Sequence, residues 1–204
     1  MPKVDFREIF SDLYQVCERR FELVDVPRMH YLVCCGREQP FQSPRFTGVS
    51  SALRRISTGI QSSLRDSGIM DFRTMPLECL WAEKGLPTPP GVRESWQWMQ
   101  MIMQPVIKHH LFEKEKQSLD DVAALSDCRN VQMLTFREGP SVQTLHQGPA
   151  GEESRTRKKL DDYIHSQGWV RRGFAHTIYL TEPAGPSDPV TAILRQPVIR
   201  EVST

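Results

Sequence analysis

Residues 75–105 read MPLECLWAEKGLPTPPGVRESWQWMQMIMQP, two apolar arms joined by a segment that carries Pro87, Pro89, Pro90 and Gly91. Apolar runs of this length bounded by Pro and Gly predict a pair of strands around a loop. The first arm holds one acid, Glu78, in a run otherwise fit for burial. A carboxylate taken out of water needs a partner, a shifted pKa or a ligand, so Glu78 is a candidate functional group. The second arm gathers Trp96, Trp98, Met99, Met101, Ile102 and Met103. Strand alternation sends Trp96 and Trp98 to one face and the three methionines to the other.

Working outward, the segments flanking this pair repeat its pattern. Residues 5–20 predict an amphipathic helix from Phe6, Ile9, Phe10, Leu13, Tyr14 and Cys17. Residues 22–36, ELVDVPRMHYLVCCG, predict two short strands or one strand interrupted at Pro27. Residues 46–66 carry apolar positions at helical spacing and end at Ser67-Gly68. After the strand pair, residues 111–125 predict a polar surface helix. Residues 131–148 again give two apolar arms around a proline, Pro140. A short helix follows at 154–167, then a strand at 175–182, a Pro/Gly loop, and a last strand at 190–198.

The order strand–Pro–strand, helix, strand, loop, strand therefore occurs twice. Leu23, Val26, Pro27 and Leu32 match Phe136, Gly139, Pro140 and Leu145, and Ile102–Pro105 matches Leu194–Pro197. Glu78 and Glu83 fall opposite Thr177 and Glu182. The expected fold class is α+β: two β-α-β-β modules related by a pseudo-twofold, with antiparallel sheets and a ligand cleft between them. One domain is expected over 1–204, divided into an N-terminal helix (1–20), a first module (21–110), a connector (111–130) and a second module (131–199).

The net charge is +1, which gives no electrostatic case for nucleic acid or an acidic membrane surface. No apolar run approaches a membrane span, and the first residues, MPKVDFREIF, lack the apolar core of an export signal. Five cysteines without zinc-type spacing fit reduced thiols, so a cytoplasmic protein is expected. His109 and His110 are adjacent and have no partner at ligand spacing, so no metal is expected. No phosphate-binding glycine motif is present, and no cofactor is expected. The basic run Arg155, Arg157, Lys158, Lys159 reads as solvated helix surface.

Five stretches in collinear order, MPLECLW (75–81), WQWMQMIMQP (96–105), REGPSVQTLHQGP (137–149), HTIYLTEP (176–183) and TAILRQPV (191–198), resemble the GyrI-like small-molecule-binding family over about residues 19–199. The resemblance implies a duplicated β-α-β-β fold, a cleft at the pseudo-twofold, and flat, apolar, often cationic ligands. The long stand-alone form with PLE-LW and MIMQP is most similar to a branch that hydrolyses cyclopropane-bearing DNA alkylators of the duocarmycin and yatakemycin type. Two positions depart from the family wording. Thr177 stands where HHEIYL has its acid, and Ala150 where a tyrosine often follows the histidine motif.

These readings set out the candidate site. Glu78 is expected as the base that activates water, or else as a structural carboxylate. Tyr179 is expected as a donor to a developing oxyanion, or else as a half-buried sheet-edge tyrosine. Trp81 and Trp98 are candidate pocket walls, with Met101 and Thr177 beside them; the methionines otherwise read as core. His146 and His176 are candidate acid–base groups or satisfied structural histidines. The expected activity is hydrolysis of a cyclopropane in a planar hydrophobic toxin, giving self-protection. The alternatives are a binder that sequesters the toxin and an inhibitor that contacts a topoisomerase. The expected partner is a flat aromatic small molecule, with no nucleic acid and no membrane, on a monomer or homodimer.

Overall fold

The computed structural model describes residues 2–18, 20–82, 97–105, 108–118, 129–182, 185 and 187–201. The loop of the opening strand pair, with Glu83 and Trp96, lies outside the described residues. Its two arms are β2 (Leu77–Trp81) and β3 (Trp98–Gln104), paired antiparallel from Leu77 opposite Ile102 to Trp81 opposite Trp98.

The two long strands are β1 (Glu22–Gly36) and β4 (Gln132–Pro149). Both bridge two neighbours. Residues 22–33 of β1 pair with residues 132–143 of β4, and residues 30–36 of β1 pair with β3 on the other edge. The second half of β4 pairs with β7 (Pro189–Arg200), which also takes β6 (Ala175–Tyr179) and a short β5 (Trp169–Arg171). β2 and β6 then pair with each other. The order β4-β1-β3-β2-β6-β7 thus returns to β4, and all these pairings are antiparallel. This is the expected α+β architecture, with one refinement: the modules share a single continuous sheet.

Pro27 does not interrupt β1. The register runs Val26 opposite Gly139 and Arg28 opposite Arg137 without a shift. Gly139 instead bends β4, with φ of 74° that side chains other than glycine rarely adopt. Inward positions before it are even, since Leu134 pairs with Tyr31; inward positions after it are odd, since Gln143 pairs with Arg195. Glu138 and Gln143 can therefore both face the interior.

Two helices cover the outside of this sheet. α3 (Pro44–Asp66), the third helix after α1 (Phe6–Ile9) and α2 (Ser11–Tyr14), packs on β1 and β3. Ser43 caps it by accepting the amide of Arg45, Pro44 fits its first turn, and Val49, Leu53, Ile56, Ile60 and Leu64 form its buried stripe. Truncating one of these to Ala costs about 2–5 kcal/mol. α4 (His109–Gln117) packs against α3, and α5 (Glu153–Ser166) packs on β4 and β7 through Leu160 and Ile164. Over the β2–β6 pair the starts of α3 and α5 approach, with Phe46 beside Trp81 and with Glu153 and Arg157 on Thr177, and a cleft remains between them.

Two sequence expectations are corrected. The helix expected over 5–20 is two single turns broken at Phe10, whose φ and ψ are −101° and 45°. The break lets α2 turn Leu13 and Tyr14 into the sheet interior, where both are buried. The helix expected over 111–125 is α4 as far as Gln117, and residues 119–128 lie outside the described set. Among the described residues no helix is long and apolar enough to cross a membrane.

Candidate functional site

Register fixes which side chains of β2 and β6 share a face. Glu78 pairs with Ile178 and Leu80 with His176, so these four point one way. Leu77, Cys79 and Trp81 pair with Tyr179, Thr177 and Ala175 and point the other way. Glu78 and Thr177, expected to face one cleft, lie on opposite faces of the sheet.

The inner face holds a closed polar chain. Tyr14 donates to Glu78 Oε1 at 2.8 Å, and His176 Nε2 lies 3.0 Å from Glu78 Oε2. His176 Nδ1 is 3.0 Å from Glu138, whose other oxygen takes Arg195 at 3.3 Å. Arg195 also donates to Gln143 at 3.0 Å and to the Leu13 carbonyl at 2.7 Å. Gln143 in turn donates to the Asp12 carbonyl at 2.7 Å, so the chain pins α2 as well. The side chains of Glu78 and His176 are 0% exposed. Against the penalty of burial, His176 and Arg195 hold Glu138 down at about 2, and the two glutamates hold His176 above its usual value. Desolvation first, then Glu78, pushes Tyr14 and Tyr31 well up, so both stay protonated. Within this chain Glu78 Oε2 and His176 Nε2 face each other at 3.0 Å without an aligned hydrogen bond, and both side chains are fully enclosed.

The outer face is different. A cleft of about 290 Å³ opens above β2 and β6, lined by Phe41, Trp81, Tyr179, Glu153 and Arg157 among others. A small extension of about 30 Å³ reaches Phe46, Leu77 and Glu182, whose carboxylate is paired with Arg54. Phe46 stacks near Trp81, with centroids 6.4 Å apart and planes 17° apart, and Phe41 leans on Phe46 at 5.0 Å. Phe41 has φ of 63°, a strained value for an aromatic residue, and strain of this kind collects at functional sites. On the floor, Trp81 Nε1 donates to Thr177 Oγ1 at 2.9 Å, and Arg157 donates to the same hydroxyl. Thr177 donates to Glu153 Oε2 at 3.2 Å, and Arg157 lies 3.7 Å from that oxygen.

Two polar atoms of this cleft, Glu153 Oε1 and the Tyr179 hydroxyl, are buried without a well-aligned hydrogen-bond partner among the described residues, and the two side chains are neighbours. Burial raises the pKa of Glu153 against the pull of Arg157, and burial followed by Glu153 pushes Tyr179 well above its usual value. Each unsatisfied atom costs about 1–3 kcal/mol, a cost that a bound ligand or water can remove.

The structure therefore sorts the candidates. Trp81, Thr177 and Tyr179 come together in the cleft. Trp98 does not: it is fully buried, edge-on to Phe46 at 5.0 Å, and donates to the Glu38 carbonyl at 2.8 Å. Gly36 makes room for it, since a Cβ there would fall 2.0 Å from its ring. Met101 is fully buried beside Glu78, its cross-strand neighbour. His176 belongs to the inner chain. His146 lies under α5, with Nδ1 2.9 Å from Thr156 Oγ1 and Nε2 3.2 Å from the Pro149 carbonyl. Glu153 and Arg157 escaped the sequence reading. Arg157 was expected on a solvated face, and it turns inward while Arg155 and Lys158 stay exposed on Glu152 and Asp162. The available signal was their spacing of four, which sets two opposite charges on one helix face. Among the described residues no group of His, Cys, Asp and Glu could hold a metal ion.

Comparison with known proteins gives a consistent fold. No family model matches the chain, and no curated protein does. Three solved structures from Listeria innocua are similar along their whole length. One, described as an uncharacterized conserved protein, has a TM-score of 0.80 and 28% identity and covers 97% of this chain and 100% of its own. Another, described as a hydrolase, has a TM-score of 0.80 and 26% identity with the same coverage. A further hydrolase structure has a TM-score of 0.79 and 27% identity, again over 97% and 100%.

Proposed function

We propose that this protein binds a flat, largely apolar small molecule over β2 and β6 and adds water to it. The observation that carries this reading is a neighbouring pair of buried atoms without a well-aligned partner, Tyr179 Oη and Glu153 Oε1, on the walls of an aromatic cleft. One is a donor and the other an acceptor, which are the two functions needed to open an activated ring with water. The hydrolase description of two similar structures supports the hydrolytic class. The GyrI-like resemblance supports a cyclopropane in a planar genotoxin as the bond that is cut, and self-protection as the purpose.

In this mechanism Phe46, Trp81 and Phe41 hold the ring system and exclude bulk water. Glu153 takes a proton from a water molecule as its oxygen bonds to the ring carbon. The strained C–C bond breaks, and its electron pair passes through the conjugated ring to the carbonyl oxygen, which becomes a phenolate. Tyr179, kept protonated by its raised pKa, donates to that oxygen, and the proton on Glu153 finally reaches it. Glu153 thus takes the role expected of Glu78. It also supplies, from a helix, the carboxylate that Thr177 lacks. Residues 1–204 are proposed to work as one domain, the two modules sharing this cleft.

A second reading, sequestration without turnover, is favoured by Arg157, because an ion-paired carboxylate is a weaker base. Mixing a cyclopropyl alkylator with substoichiometric protein separates the two. Several equivalents of product carrying one added water per chain establish hydrolysis. Depletion that stops at one equivalent, with the alkylator recovered intact on denaturation, establishes sequestration.

A further inference from the structure

The charge of the cleft points to a ligand class that its shape leaves open. Glu153 is the one carboxylate among the described lining residues of the main cleft, and Arg157, one turn along α5, lies 3.7 Å from it. Glu182, in the extension, is tied to Arg54. The aromatic walls and Thr177 add no charge. The cleft is therefore electrically balanced before any ligand enters.

A lipophilic cation entering such a cleft would lose its hydration and find no carboxylate that is not already matched. A neutral ring system pays no such penalty. It would also meet the Tyr179 hydroxyl, which has no well-aligned partner and can give a hydrogen bond to a carbonyl oxygen or ring nitrogen. Glu153 Oε1, beside Tyr179 and without a well-aligned bond, can accept from a ligand N–H or a water, while Oε2 is held by Thr177.

We infer that Arg157 sets the specificity of the cleft: by cancelling Glu153 it selects neutral planar compounds that carry a hydrogen-bond acceptor, and it turns away planar cations. This rests on the reading of the cleft as the ligand site. Arg157 acts through Glu153 and Thr177 as a positioning residue.

The test uses two probes of nearly the same outline, acridine in mildly alkaline buffer, where it is uncharged, and N-methylacridinium, a permanent cation. Titration calorimetry on the full chain is expected to show the neutral probe binding about tenfold or more tightly, and Arg157→Met is expected to reverse that order. Glu153→Gln, which leaves Arg157 unmatched, is expected to widen the preference for the neutral probe. The two variants push in opposite directions, so a folding defect in one leaves the other decisive. Equal binding of the two probes, preference for the cation, or a ratio that neither variant moves would overturn the assignment to Arg157 while leaving the cleft as the binding site. Binding of neither probe to the unmodified protein would overturn the cleft reading and this inference with it.

Discussion

On the inner face of β2 and β6, Glu78 and His176 sit in a chain that runs from Tyr14 to Gln143, with Glu138 and Arg195 between them. One residue along, on the outer face, Thr177 and Tyr179 share a cleft with Glu153 and Arg157. Both faces bury acids, a base and tyrosines against the same two strands. On the inner face the two atoms without an aligned hydrogen bond, Glu78 Oε2 and His176 Nε2, lie 3.0 Å apart and face each other. On the outer face one carboxylate oxygen and one hydroxyl are left over. A buried network closed on itself specifies structure, whereas polar atoms beside an opening can meet a ligand. Burial and unusual pKa values are therefore common to both faces and do not locate the site. Polar atoms without an aligned bond beside an opening are what single out the proposed cleft.

The largest effect that can break this comparison is expected at Glu138. Glu138→Gln leaves Arg195 and His176 without their shared counter-charge, and a broken buried pair costs about 3–5 kcal/mol. Urea unfolding measures it. A loss near zero would mean that the inner chain does not hold the fold. Glu78→Gln is expected to lower stability in the same assay while its folded fraction keeps its turnover. A stable, inactive Glu78→Gln protein would move the chemistry back to the inner face.

The next effect falls on the outer face. Tyr179→Phe removes one donor to the oxyanion and is expected to slow turnover about 10²–10³-fold. It also removes a buried hydroxyl that has no well-aligned partner, so thermal stability should hold or rise. A rate loss accompanied by a large drop in melting temperature would make Tyr179 structural. Trp81→Ala is expected to weaken ligand binding by about tenfold, the loss of one stacking wall, with the rate of bound ligand much less affected. Separate measurement of kcat and KM checks that split.

The smallest effect is in the pH dependence of stability. Glu138 is held at about 2 in the fold against an ordinary 4.5, so its contribution is complete above 4.5 and fades as pH falls toward 2. His176 is raised above its ordinary 6.5, so its contribution is complete below 6.5 and fades as pH climbs through its folded value. Both are present together between 4.5 and 6.5, where stability to urea should peak. A Glu138→Gln protein should lose the acid-side slope, and a curve unchanged by the substitution would detach Glu138 from it.

Much of the fold was legible in the sequence because its signals are local. Periodicity gave α3 and α5 to within two residues at each end, and proline and glycine placed the breaks around β2, β3 and β7. The twofold order of elements implied two like halves. Pro27 misled because proline forbids a donated bond but does not forbid a continuous strand. The three-residue β5 carried too few residues to show a period. Of the site, Trp81, Thr177 and Tyr179 were legible from β2 and β6. Arg157 was hidden in a basic run that composition alone assigns to solvent, and Glu153 stands beside it at the start of the same helix.

The chain's own pattern thus determined which segments are strands and helices, and which residues alternate along each strand. It could not determine which of a strand's two faces would meet solvent. Here the sheet closes through β4 and β7, so Glu78 is enclosed, while outside the starts of α3 and α5 leave a cleft over the β2–β6 strip. Alternation alone treats Glu78 and Thr177 as neighbours one step apart in equivalent strands. Closure puts a wall between them, because the side chains of successive strand residues point in opposite directions. That long-range pairing sent Glu78 to an enclosed interior and left the opening to Tyr179 and Glu153.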